Sequence, residues 1–336
     1  MASFALFFKY LIIYIVGFIL GSFGGLFSEA SGIINIALEG AMIFGAFSGI
    51  VFLNIMLMPA VGLTGTWLLT NVGGIMLVYL MAAVIAIVFS ILFSFLLSFA
   101  AIKLKADQTI VGTALNSLAV AACTIINTNL RQIDSPEIPS NVFSQELILK
   151  TGNVFIDNAF SGLNISLAIG FVLIFVLWIL MNKTRFGLRL RACGENPSAA
   201  DSVGINVYKM RYVGTAIGSA SAGLAGFVIF SCMPLGTWQI DALGYGFLVL
   251  AIEIFGNWKA TNIVFCSLFF AFFFAFAPSI VAIMSANGSP LSGTLFGERA
   301  FYYLLPYLLA FISLIIFSKH SRAPKAEGIP YEKSIR

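Results

Sequence analysis

The sequence predicts an all-α protein that crosses a membrane many times, and three observations carry that prediction. Hydrophobic residues fill 60% of the 336 positions and charged residues only 10%, whereas roughly a quarter of a soluble domain is charged. Apolar windows long enough for ~30 Å of hydrocarbon recur along the whole chain. The basic residues gather in a few connecting stretches, most densely in 182–211, where Lys183, Arg185, Arg189, Arg191, Lys209 and Arg211 outnumber Glu195 and Asp201. Such an excess marks the cytoplasmic side of a membrane protein. The net charge of +4 therefore reports topology, and nothing in it points to nucleic acid.

Nine windows satisfy the length criterion: 5–26, 33–54, 75–102, 107–127, 163–182, 211–233, 242–257, 260–284 and 299–318. The first, MASFALFFKYLIIYIVGFIL, has neither a basic leader nor a small-residue cleavage site and reads as a retained helix. Residues 21–32, GSFGGLFSEASG, are expected to break the helical run, as is the glycine-flanked segment 244–256. Broken backbone must line protein or water, because unpaired peptide groups are costly in hydrocarbon; both segments are therefore candidates for a transport path. Nine spans would leave the N-terminus outside, whereas a tenth crossing or re-entrant piece within 55–74, interrupted by Pro59 and several glycines, would bring it inside, and hydropathy does not decide between them.

Residues 128–162 carry two basic residues, Arg131 and Lys150, against Asp134, Glu137, Glu146 and Asp157, and read as an extracytoplasmic loop. The stretch 183–210 is the cytoplasmic loop. Within it Asn196 and Pro197 form an N-cap and N1 pair, a short helix runs from Pro197 to Val203, and Gly204 can take the left-handed position that ends it. In 211–233, Gly214, Gly218, Ala222 and Gly226 recur every four residues, a packing stripe that lets another helix come close. The phenylalanines of 265–276 surround their helix and are lipid-facing or bundle filler. The tail, 319–336, carries Lys319, Arg322, Lys325, Lys333 and Arg336 and is expected in the cytoplasm, leaving 1–318 as the membrane domain.

The polar residues inside apolar runs are the candidates for function. Glu39 lies well within a span, with Asn35 one turn before it on the same face. Glu253 holds a comparable place in the second half: it follows Gly246 by seven residues, as Glu39 follows Gly32, a spacing that hints at an internal repeat. Either these acids meet a water-filled path or substrate, or they cap broken helices. In 107–127, Gln108, Gly112 and Asn116 share one face, with Thr109 and Thr113 adjacent; this stripe is expected to face the bundle interior, as part of a path or as interhelical hydrogen bonds. The cysteines, Cys123, Cys193, Cys232 and Cys266, match no zinc or redox spacing, and His320 at the membrane edge offers little for a triad or a metal. No G-x-x-x-x-G-K-[ST] occurs, so the chain has no P-loop and is not expected to be an enzyme.

Two segments, SEASGIINIALEGAMIFGAF at 28–47 and FGLRLRACGENPSAADSVGINVYKMR at 186–211, resemble signatures of ABC importer permeases. The family is the one of ribose and branched-chain amino-acid permeases, and the resemblance is closest to nucleoside permeases that work with basic membrane lipoproteins. It implies a type II importer fold of about ten helices in the bacterial cytoplasmic membrane. It also implies a small-molecule substrate, a second and usually different permease chain, a separate ATP-binding protein holding ATP and Mg, and a lipoprotein delivering substrate from outside. No cofactor is then expected in this chain. Glu195, Asn196, Ala199, Ala200, Asp201 and Gly204 match the family's coupling-helix motif; the small Ala199 and Ala200 suit seating in a groove of the ATPase. The departure is at 28–31, SEAS, where Ala30 stands in place of the more usual arginine beside Glu29. Nucleosides are the expected cargo, with pentoses, branched-chain amino acids or riboflavin as alternatives. A proton-coupled secondary transporter working through Glu39 or Glu253 is the competing class, and a scaffold without a path a third.

Overall fold

The computed structural model describes residues 2–56, 71–131, 137–139, 164–233, 237–287 and 322–333, with isolated positions between 304 and 315. Its helices are α1 (Ala2–Glu29), α2 (Leu38–Met56), α3 (Val72–Ile102), α4 (Gln108–Arg131), α5 (Ile165–Lys183), α6 (Arg185–Glu195), α7 (Pro197–Ser202), α8 (Val207–Cys232), α9 (Tyr245–Phe255) and α10 (Ala260–Asn287). Among the described residues seven of these, α1 to α5, α8 and α10, are long and apolar enough to cross a membrane. The span expected at 242–257 is instead α9, with 11 residues. At 1.5 Å per residue it reaches only about 16 Å, half a bilayer core, so the helix covers only half of the distance between the end of α8 and the start of α10. The window at 299–318 falls outside the described residues except for a few positions, and 57–70 lies outside them as well.

The glycine-rich run at 21–32 breaks only at its end. Helix α1 continues through it to Glu29, because its glycines serve close packing: a Cβ on Gly24 would sit 2.7 Å from the carbonyl oxygen of Gly218 on α8. The serines of the run stay paired, Ser22 Oγ donating to the Val249 carbonyl and Ser28 Oγ to that of Gly24. The real break comes after Glu29. There the Ile33 N–H bonds back to Ser28 O at 3.3 Å and the Gly32 N–H to Glu29 O at 2.8 Å, with Gly32 at φ +94. This is a Schellman ending, and its left-handed residue needs the freedom only glycine has.

Helix α8 is the packing hub, lying against α1, α2 and α3. Gly214 meets Phe27 and Ser31, Gly218 and Ala222 meet the turn at Gly24, and Gly226 meets the backbone of Met42. The close approach is stitched by hydroxyls: Ser221 Oγ to Leu20 O at 2.6 Å, Ser90 Oγ to Ala41 O at 3.1 Å, and Ser98 Oγ with Thr215 Oγ1 at 2.6 Å. On α10 the phenylalanines divide by face. Phe265, Phe269, Phe272 and Phe276 are exposed, whereas Phe270 and Phe274 are buried and Phe274 packs edge-on to Phe18.

A two-stranded antiparallel ribbon joins β1 (Glu137–Pro139) to β2 (Thr237–Gln239), with Ile138 opposite Trp238. It ties the 128–162 loop, otherwise outside the described residues beyond Arg131, to the second half of the chain. The tail is also bound. The Ala326 N–H donates to Gly194 O at 2.8 Å, the Gly328 N–H to Gly32 O at 3.2 Å and Tyr208 Oη to Tyr331 O at 3.3 Å. Lys333 approaches Asp201 at 3.8 Å and Glu332 pairs with Lys105. Residues 322–333 thus strap together the α3–α4 turn, α6, α7 and the α1–α2 break.

Candidate functional site

The α1–α2 break, residues 30–37, passes through the interior of the helix bundle, and polar side chains predicted from sequence gather around it to satisfy its backbone. Gln108 Oε1 accepts from the Ile34 N–H at 2.7 Å, Asn116 Nδ2 donates to Ile36 O at 3.0 Å, and Asn116 Oδ1 accepts from the Gly40 N–H at 2.8 Å. Asn35 is fully buried and donates to Ser28 Oγ at 3.0 Å, leaving its Oδ1 unpaired. Glu39 caps the half-helix α9: its two carboxyl oxygens accept from the Gly244 N–H at 2.9 Å and the Gly246 N–H at 2.5 Å. Four orphan N–H groups open every helix, and for α9 a carboxyl from α2 meets two of the groups at that end.

Two predicted residues stand apart from this cluster. Glu253 is 0% exposed and sits against Gly25 of α1, beside Glu29. Thr113 lies on the outer face of α4, where it forms, with Thr109 and Ser117, an exposed polar row spaced one turn apart. The stripe expected to face inward is therefore two stripes. Gln108, Gly112 and Asn116 face the break, and the hydroxyls face out of the chain.

Four participants were not predicted from sequence. Trp258 Nε1 donates to Glu29 Oε2 at 2.6 Å, so the acid beside Ala30 is held by an indole from the α9–α10 turn. Glu327 of the tail comes against Glu29, and burial first, then that neighbouring acid, pushes the Glu327 carboxyl up to about 8. Arg211, read as a solvated topological charge, is 1% exposed. Its guanidinium occupies the space a Gly32 side chain would fill, next to Ala326 O. The neighbouring Cys193 thiol is pushed up to about 11 by burial and is not a reactive thiolate at neutral pH. Glu29 alone carried a sequence signal, its place beside the altered arginine position; the others depend on chain segments far apart in sequence.

The 183–210 loop forms α6 and α7 back to back, sharing Asn196 as C-cap and N-cap. Asn196 Oδ1 accepts from the Ala199 N–H at 3.1 Å, and Gly204 closes the turn at φ +84. The two alanines differ. Ala200 is buried against the chain itself, while Ala199 is exposed and Val203 is 75% exposed. Glu195 is exposed, and Asp201 is turned toward Lys333. Among the described residues no group of three His, Cys, Asp or Glu side chains is placed to hold a metal ion.

A membrane bundle with a half-length helix, a polar break and a short capped helix at one end fits a permease, and residues 7–314 match the family described as branched-chain amino acid transport system / permease component. The chain belongs to that family. The permease is 37% identical over 333 residues to the guanosine ABC transporter permease protein NupQ of Bacillus subtilis, covering 97% of this chain and 96% of the relative. It is 32% identical to the nucleoside ABC transporter permease protein NupC of Lactococcus lactis, covering 96% of each. A shorter match, 30% identical over 131 residues, links 39% of the permease to 35% of NupB, another nucleoside ABC transporter permease protein of the same strain. No solved structure matches. The permease is thus a multi-pass membrane component of an ABC transport system.

Proposed function

We propose that this permease carries nucleosides into the cell through a path it forms with a second permease chain, driven by ATP hydrolysis on a separate subunit. The observation that carries the reading is the exposed row Thr109, Thr113 and Ser117 on α4. The row lies on a membrane span whose other exposed residues are mostly apolar, such as Ile110, Leu118 and Ile125, with Asn129 near its far end. Hydroxyls facing lipid gain nothing, whereas hydroxyls along a water-filled groove can bind a sugar and base in passing. The row lies one helix face away from Gln108 and Asn116, so the groove runs beside the α1–α2 break; Asn35 and Glu39 shape its wall from behind, and Glu253 braces α9 against α1. The names of NupQ and NupC support the substrate class, and the presence in one strain of both NupC and NupB, each named a nucleoside ABC transporter permease protein, supports a second, different permease.

In this reading α7 is the coupling helix. Ala199 and Val203 present the outward surface to the ATP-binding protein, which holds ATP and Mg. Glu195, Asn196, Asp201 and Gly204 fix the helix, and Ala200 seats it on the permease. Closure of the ATPase pair moves α7, and the attached α5 and α8 rock. An extracytoplasmic lipoprotein delivers substrate at the opposite face. The end of the bundle bearing α6, α7 and the tail is cytoplasmic, which is supported by Lys103, Lys105, Lys183, Arg185, Arg189, Arg191, Lys209 and Lys325 all lying there.

The test is uptake of labelled guanosine into proteoliposomes holding the permease with its partner subunits, with nucleosides, ribose, leucine and riboflavin as competitors. Nucleosides alone should compete. Ala199→Trp should reduce both substrate-stimulated ATPase and uptake at least tenfold, as a bulky ring on the outward face would prevent seating. Competition by leucine or ribose would overturn the substrate class, and an active Ala199→Trp variant the coupling role.

A further inference from the structure

A cavity of about 550 Å³ opens between α6, the α9–α10 turn and the start of the tail. Arg191, Lys259 and Arg322 line it, against the single carboxylate of Glu195. All three basic residues are exposed, and among the described residues none is in an ion pair. Arg191 donates Nε to Gly187 O at 3.4 Å, which leaves the outer fork of its guanidinium available. The wall is fixed. Trp258 points its N–H away to Glu29 and presents the indole body to the cavity, and Asn257 Oδ1 accepts the Arg322 N–H at 2.8 Å. Asn257 and Trp258 both hold left-handed backbone at φ 53, an uncommon state for two consecutive residues other than glycine.

The cavity also has a defined depth. Lys259 immediately precedes the membrane span Ala260–Ile280, so the basic rim lies at the membrane–water boundary, where tryptophan and basic side chains meet lipid headgroups. The first turn of α10 adds the partial positive charge of a long helix. Three cations and a single carboxylate line the cavity together with an aromatic residue, a charge balance that suits an anion of more than one charge-bearing oxygen. Guanidinium and ammonium groups in this arrangement are suited to phosphate oxygens.

We propose that this cavity binds a phosphate ester at the membrane surface, either the phosphodiester of an acidic phospholipid headgroup or the phosphomonoester of a nucleotide. The bound group bridges α6, the α9–α10 turn and the tail, and so holds the strap against the loop.

The test uses full-length permease in neutral detergent. Native mass spectrometry counts retained phosphatidylglycerol against phosphatidylcholine, and a second arm titrates a nucleoside monophosphate into protein in phosphatidylcholine alone. The wild type should prefer the phosphate ester of one arm, and Arg191→Gln, Lys259→Gln and Arg322→Gln should each weaken it about fivefold. Lys259→Arg should retain binding, and thermal melting in phosphatidylcholine verifies that each variant is folded. A preference in the lipid arm identifies a headgroup site and one in the nucleotide arm a soluble ligand. The proposal is overturned if neither arm depends on the three residues, or if Arg189→Gln, an exposed charge on α6 outside the cavity, costs as much. It also fails if the variants lose only association with the ATP-binding subunit while phosphate binding is unchanged.

Discussion

Replacing Glu39 separates an architectural carboxyl from a transporting one. Its side chain is 6% exposed, and its two oxygens receive the N–H groups of Gly244 and Gly246 at 2.9 and 2.5 Å. Glu39→Ala leaves both N–H groups buried at the mouth of α9 with no partner. At roughly 1.5–3 kcal/mol for a hydrogen bond to a charged group, the loss is about 4 kcal/mol. Glu39→Gln keeps one acceptor oxygen and turns an NH₂ toward the second N–H, so about half that loss is expected, ~2 kcal/mol. The assay is denaturant or thermal unfolding of the purified permease, paired with uptake by the reconstituted transporter. Stability and uptake should fall together, in the order wild type, Gln, Ala. If Glu39→Gln unfolds like wild type, within ~0.5 kcal/mol, yet abolishes uptake, the carboxyl works on the path as a titrating or substrate-binding group and the cap argument is wrong.

Two further outcomes follow from the packing and the strap. Gly24→Leu places a side chain where the carbonyl of Gly218 lies 2.7 Å from the Cβ position, so about 3 kcal/mol of overpacking is expected, read as a lowered melting temperature and less folded protein in the membrane. The tail should be held more weakly as pH rises. With its native value raised from 4.5 to about 8, the Glu327 carboxyl keeps a proton in the docked state that a released tail gives up. The stabilisation is therefore full at acid pH, is lost as pH rises between those two values, and levels off above about 8. Trypsin cleavage near Lys325 and Lys333, normalised to an unstructured reporter peptide, should speed up over that range, and Glu327→Gln should remove the dependence. A pH-independent wild type would refute the burial of that carboxyl against Glu29.

Hydropathy marked seven of the helices within a few residues, since twenty or so apolar residues in hydrocarbon have one economical backbone solution. The same signal failed at α9, because an apolar window does not say how much of it is helical. Within residues 21–32 the break comes only after Glu29, and the glycines before it are there to admit neighbours, Gly24 facing α8 and Gly21 and Gly25 facing α9. Local chemistry was legible where a motif is short: Asn196, Pro197 and Gly204 specified α7 without help from the fold. The burial of Ala200 was not, because which alanine faces inward depends on where α8 and the tail lie.

The sequence by itself determined that this is a multi-pass membrane protein, which loops bear positive charge, where the capped helix lies, and which polar residues fall inside apolar runs. These follow from transfer energies and local capping, properties of a residue and its near neighbours. Only the tertiary structure decided what the polar residues do. Glu39 caps a helix 205 residues away in sequence, Thr113 faces outward while Gln108 and Asn116 face the break, Arg211 is buried, and Glu327 of the tail is half-buried against Glu29. Those roles are set by contacts between distant segments, and periodicity within a single helix carries no information about which neighbour lies across from it.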